Sequence, residues 1–94
     1  MLILAMGKLH QTGITDPERR TEIANAKTRE LGIKVLSRTG VVGRYDFVTM
    51  MDVPSLEAAT EFAHFFRTQG FGDPEIMPIT EHIPGEPRHP ALGQ

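Results

Sequence analysis

Hydrophobic residues recur with two different periods along the chain, and the change of period marks the elements. Leu2 to His10 reads LILAMGKLH, an apolar run dense enough for a buried strand, closed by the polar turn Gln11-Thr12-Gly13. Asp16-Pro17-Glu18 is a helix start, because the aspartate side chain can accept from free backbone amides and a proline at the first helical position lacks a donor it would not use. Gly32 predicts its end. Ile23, Ala24, Ala26 and Leu31 give this helix only a thin apolar stripe, so packing on a sheet has to hold it. Ile33 to Ser37 reads as a second strand by its β-branched content, Gly40 and Gly43 bracket a hairpin, and Tyr45 to Met51 forms a third strand. Ser55, with Glu57 and Glu61 behind it, opens a second helix running to about Gln69. Its Leu56, Ala59, Phe62, Ala63 and Phe66 recur at three- and four-residue spacing and face a core. Gly70 and Gly72 end it, and Glu75 to His82 reads as a fourth strand, placed at a sheet edge by Pro78, which has no amide to donate.

The order βαββαβ predicts an α+β chain of the ferredoxin-like type, an antiparallel four-stranded sheet with two helices on one face. One such domain is expected over residues 1–83. Residues 84–94, PGEPRHPALGQ, are too rich in Pro and Gly for regular structure and predict an extended C-terminal arm. At ~3.1 Å per residue it would reach about 30 Å, far enough to touch a neighbouring subunit. An antiparallel sheet with one wet face should alternate apolar and polar positions, and the two strands expected in the centre do not. Leu2, Leu4 and Met6 oppose Ile3, Ala5 and Leu9, while Phe47, Met51 and Val53 oppose Val48 and Met50. Two helices cover only one face, so a second copy packed sheet against sheet is expected, making the chain a homodimer or larger.

Ninety-four residues suffice for one domain. Hydrophobic residues at 39%, charged residues at 23% and a net charge of -2 exclude disorder, collagen and coiled coil. The absence of cysteine excludes a disulfide framework, a thiolate nucleophile and cysteine-ligated metal centres. The longest apolar run, Met1 to Met6, is far below the ~18 residues of a membrane span and carries no signal-peptide features, so no membrane association and a cytoplasmic location are expected. Charge is split: residues 1–44 hold eight basic and four acidic side chains, residues 45–94 two basic and eight acidic. That division suits self-association, whereas a pI near 6.0 with no Trp and one Tyr argues against nucleic acid.

Candidate chemistry gathers around the hairpin. Gly43 is expected to supply the positive φ of a tight turn. Tyr45 and Asp46 are strand neighbours and point to opposite faces, so they cannot serve one small site together. Asp46 would act as a general base if burial raised its pKa, or pair with Arg44 or Arg38 across the hairpin; the ion-pair or turn-capping role is preferred. Tyr45 reads as a buried aromatic with its hydroxyl satisfied. Of the histidines at 10, 64, 82 and 89, none forms a close metal-ligand pair, and no phosphate loop, dinucleotide fingerprint or Ser-His-Asp order occurs, so neither metal nor cofactor is expected. Lys8, His10, Arg44, Tyr45 and Asp46 remain as ligand-binding candidates.

Gly43-Arg44-Tyr45-Asp46, followed by an apolar strand and Val-Pro-Ser-Leu-Glu-Ala-Ala at 53–59, resembles the GYD domain family, named for that Gly, Tyr and Asp. Met6-Gly7-Lys8, Gly32 before Lys34, Gly70 and Thr80 fit the same pattern, over about residues 2–82. The resemblance implies a ferredoxin-like fold of the dimeric α/β barrel type, from a family whose members mostly lack an assigned activity. Where members commonly carry aromatic residues before the motif, Arg38, Thr39, Gly40, Val41 and Val42 stand here. Residues 42–80 are also similar, more faintly, to the ligand-sensing domain of leucine-responsive regulators, in which small molecules bind between subunits near the hairpin. Together these features lead to a small homo-oligomer binding a small organic molecule between sheet and helices or between subunits. The alternatives are a cofactor-free monooxygenase, isomerase or lyase on the same barrel, and a structural assembly subunit.

Overall fold

A computed structural model describes residues 1–10 and 16–86 of the chain. Six elements follow the predicted order: β1 (Leu2–Leu9), α1 (Pro17–Glu30), β2 (Lys34–Gly40), β3 (Phe47–Asp52), α2 (Leu56–Thr68) and β4 (Gly72–Pro78). The helix starts are capped as their sequences require. Asp16 accepts from the amides of Glu18 and Arg19 at 3.0 and 3.3 Å, and Ser55 Oγ from the amide of Ala58 at 3.1 Å. Gly32 leaves α1 at φ 71° and Gly70 leaves α2 at φ 75°, the left-handed exit that glycine makes without penalty.

The strands lie in the order β2-β3-β1-β4 with every neighbouring pair antiparallel, which makes this a ferredoxin-like α+β fold. β1 and β3 are central and β4 is an edge, in keeping with Pro74 and Pro78 along it. Strand ends differ from the sequence expectation. β4 begins at Gly72 and ends at Pro78, because Gly70 alone ends the helix and Gly72 is already paired with Leu9. β2 continues past Ser37 to Gly40 across a bulge between Val35 and Ser37, and β3 starts at Phe47, after the two residues Tyr45 and Asp46. Pairing with a partner strand set these limits, and local composition does not report it.

Between the sheet and the helices lies the core, formed by Ile3, Ala5, Met51, Val53, Ala59, Phe62, Phe66 and Phe71 among others. The Phe66 ring is its hub, with ring centres of Phe71, Phe47 and Phe62 at 5.3, 5.6 and 6.0 Å. α2 buries Ala58, Ala59, Phe62, Ala63 and Phe66. Leu56, expected in that stripe, is 46% exposed: helical side chains lean toward the N-terminus, and the first residue of a helix has no preceding turn to cover. α1 contributes less, burying Ala24 and Thr28, while Ala26 faces solvent. On the opposite sheet face, which neither α1 nor α2 covers, Leu2, Leu4, Met6, Val48, Met50 and Met77 stand half-buried, in register across β3, β1 and β4.

Residues 84–86 are exposed and without regular structure. The rest of the expected arm, 87–94, and the expected turn Gln11-Thr12-Gly13 lie outside the described residues. Among the described residues no helix is long and apolar enough to cross a membrane.

Candidate functional site

Small side chains on α1 leave space beneath it. Ala24 and Thr28 are the buried residues of that helix, and neither is bulky enough to fill the gap down to the sheet. The result is a cavity of about 230 Å³ between the helices and the helix-covered face of the sheet. Ala5, Phe47, Thr49 and Met51 from β1 and β3 form its floor, Phe62 and Phe66 from α2 and Pro74 from β4 its inner wall, and Arg20, Thr21 and Ala24 its cover. Val35, Arg38, Thr39 and Gly40 of β2 and Asp46 complete the lining. Burial is graded across it: Ala5, Ala24, Met51, Phe62, Phe66 and Pro74 are buried, Arg20 is half-buried, and Thr21, Arg38, Thr39 and Gly40 are exposed. The mouth is therefore polar and lies between α1 and the second half of β2.

Arg38 bridges these two elements. One of its guanidinium nitrogens donates to Asn25 Oδ1 on α1. Partial burial of the guanidinium disfavours its charged form and lowers its pKa from the ordinary arginine value.

Asp46 is held at the cavity edge by backbone on both sides. Its carboxylate accepts from the Leu9 amide at 2.8 Å, its own amide donates to the Gly7 carbonyl at 2.8 Å, and its carbonyl accepts from the Val41 amide at 3.0 Å. Its ionic neighbour is Lys8, with Nζ 3.8 Å from Oδ1, in place of the Arg44 or Arg38 expected from the hairpin. Both side chains are well exposed, so the pair is worth little by itself. Arg44 instead lies over the Tyr45 ring at 5.8 Å, and Arg38 is turned to Asn25. Lys8 also donates to the Gly43 carbonyl at 2.6 Å, securing the hairpin where Gly43 takes φ 132°.

Tyr45, in the connection that precedes β3, is engaged away from Asp46. Its hydroxyl donates to Glu75 at 3.2 Å, and Glu75 pairs with Met6 on the helix-free face. His10 Nε2 lies 2.8 Å from Asp73 Oδ2 across the β1–β4 ladder. Of the five sequence candidates, Asp46 alone lines the cavity. Lys8 stands beside it, and Arg44, Tyr45 and His10 are engaged elsewhere.

Reading the sequence missed Arg20, Thr21, Arg38 and Thr49. A signal for the first was present: Arg20, Ala24 and Thr28 are spaced by four and share one helical face. No sequence spacing links Arg20 to Arg38. Among the described residues no three His, Asp or Glu side chains converge as metal ligands do. The arrangement is suited to holding an apolar body under α1 with a polar group at the mouth. The GYD domain family model matches residues 6–83, and no curated protein matches the chain.

Proposed function

We propose that this chain, which belongs to the GYD domain family since the match spans most of its length, binds a small organic molecule in the cavity between its sheet and helices. The cavity itself carries the reading: about 230 Å³ of space, apolar within and polar at one end. A dry cavity of ~150 Å³ accepts benzene, so this one accommodates a ring bearing a short substituent.

The test is native mass spectrometry of the protein purified from its own host, looking for a retained small molecule. Ala24→Leu is the companion variant. It adds three carbons pointing from α1 into the space, keeps helix propensity and charge, and is expected to lose the retained mass. At ~0.8 kcal/mol per buried CH₂, offset by some strain, the empty protein should gain about 1 kcal/mol, or roughly 4 to 8 °C in thermal midpoint. A variant that still carries the molecule would locate binding elsewhere.

Association of two copies through the helix-free face is part of the same reading. Its support is the half-buried row Leu2, Leu4, Met6, Val48, Met50 and Met77 on a face that neither α1 nor α2 covers. Met50→Glu, on central strand β3, would place a carboxylate within that contact at a cost of several kcal/mol. Sedimentation equilibrium should show the parent chain at twice the single-chain mass or more and the variant at the single-chain mass. A parent protein that sediments as one chain disposes of association.

A further inference from the structure

We infer that the cavity takes an organic anion, a small carboxylate with an apolar body whose charge is held at the mouth by Arg20 and Arg38. This rests on the binding role proposed above and names the class of ligand. Three observations on the lining carry it.

First, the cavity is graded in one direction. Met51, Phe62 and Phe66 at its inner end are buried and apolar, while the half-buried Arg20 and the exposed Arg38 line its outer part. A ligand that fits this gradient has an uncharged end and a charged end. Second, the charge at the mouth is positive. No ion pair within 4.0 Å among the described residues includes Arg20 or Arg38. The one acid of the lining, Asp46, already accepts from the Leu9 amide and lies beside Lys8. Third, Arg38 is positioned without being neutralised. Its partner is the neutral amide oxygen of Asn25, which uses one of the five guanidinium hydrogens and fixes the group between α1 and β2.

Physical chemistry then selects among ligands. A partly buried guanidinium without an anion has lost hydration that the single Asn25 oxygen replaces only in part, in keeping with the direction in which burial moves the Arg38 pKa. A carboxylate restores it through charge-assisted hydrogen bonds from the two arginines. An organic cation meets two like charges. A phosphate ester leaves the aromatic inner end unfilled unless its alcohol is itself apolar, and a space of about 230 Å³ has little room for both.

Isothermal titration calorimetry on the full chain decides it, with phenylacetate, 3-phenylpropionate and 4-methylpentanoate as probes and their primary amides and the matching amines as controls. At least one carboxylate should bind, and at least about tenfold more tightly than its amide, since a hydrogen bond to a charged group is worth that factor or more. Arg38→Gln and Arg20→Gln keep much of the stem and should each weaken the carboxylate about tenfold while leaving the amide unchanged. Ala24→Leu should abolish binding of both. Equal affinity for carboxylate and amide, indifference of the carboxylate to both arginine variants, or binding that survives Ala24→Leu overturns the inference. So does failure of all three carboxylates to bind. In that last case, an uncharged molecule retained from the host would leave the binding role standing without the anion, and an empty protein would remove both.

Discussion

Gly7→Val is expected to leave the chain largely unfolded at 37 °C. Gly7 lies on central strand β1 opposite Pro74 of edge strand β4. A Cβ there would run into the Asp73 carbonyl, with that carbonyl carbon at 2.9 Å and Pro74 Cα at 3.1 Å. All of these are backbone atoms, so no side chain can swing aside to make room. Relief requires β4 to leave β1, taking buried Pro74 with it and opening the core beside Phe71. The Gly7 carbonyl also accepts the Asp46 amide, so the same shift disturbs the edge of the cavity. The cost should exceed about 4 kcal/mol, among the largest single-residue effects. A domain this small has roughly 5 kcal/mol or little more to lose, and the thermal midpoint should fall by about 15 °C or further. Circular dichroism melting checks this, with Gly40→Ala as the control. A Cβ at Gly40 meets nothing within 4 Å, so that variant should melt within a few degrees of the parent. A Gly7→Val midpoint lowered by less than about 5 °C would show that the two strands are free to separate locally.

Phe71→Ala is expected to cost about 3 to 5 kcal/mol. Phe71 is 1% exposed and sits in the short connection from α2 to β4, its ring edge-on to Phe66 at 5.3 Å. Its backbone is engaged as well, donating to the Phe66 carbonyl at 3.1 Å and accepting from the His10 amide at 2.8 Å. Removing the ring leaves a hole that β4, paired along its length to β1, cannot close. Urea unfolding should show a lower midpoint at an unchanged slope, and Phe71→Leu should recover part of the loss. The effect reaches the candidate site because Phe66, which Phe71 supports, is part of the cavity wall. Ligand affinity should therefore fall with stability in Phe71→Ala, whereas Arg38→Gln should lower affinity alone. A loss of stability under about 1 kcal/mol would mean that the core collapses around the vacancy.

Residues within a few positions of one another determined what the sequence by itself could specify. The caps at Asp16 and Ser55, the exits at Gly32 and Gly70, the four-residue spacing of Phe62 and Phe66, and Pro78, which consigns β4 to an edge, all act locally, and each is present as read. Element order followed from them, and with it the ferredoxin-like topology and the apolar character of both faces of β1 and β3. Where β4 begins was decided by the pairing of Gly72 with Leu9, and how far β2 extends by its ladder with β3. Those are contacts between distant positions, to which local composition is blind. The site divides in the same way. Lys8, Arg44, Tyr45 and Asp46 draw notice in the sequence because they lie in or near a short motif, yet the hairpin turns Arg44 and Tyr45 away from Lys8 and Asp46. Arg20 and Arg38 have nothing in the sequence to connect them. They meet at one cavity because α1 crosses above β2 with only Ala24 and Thr28 buried beneath it, and both the space and the charges at its mouth are consequences of that packing.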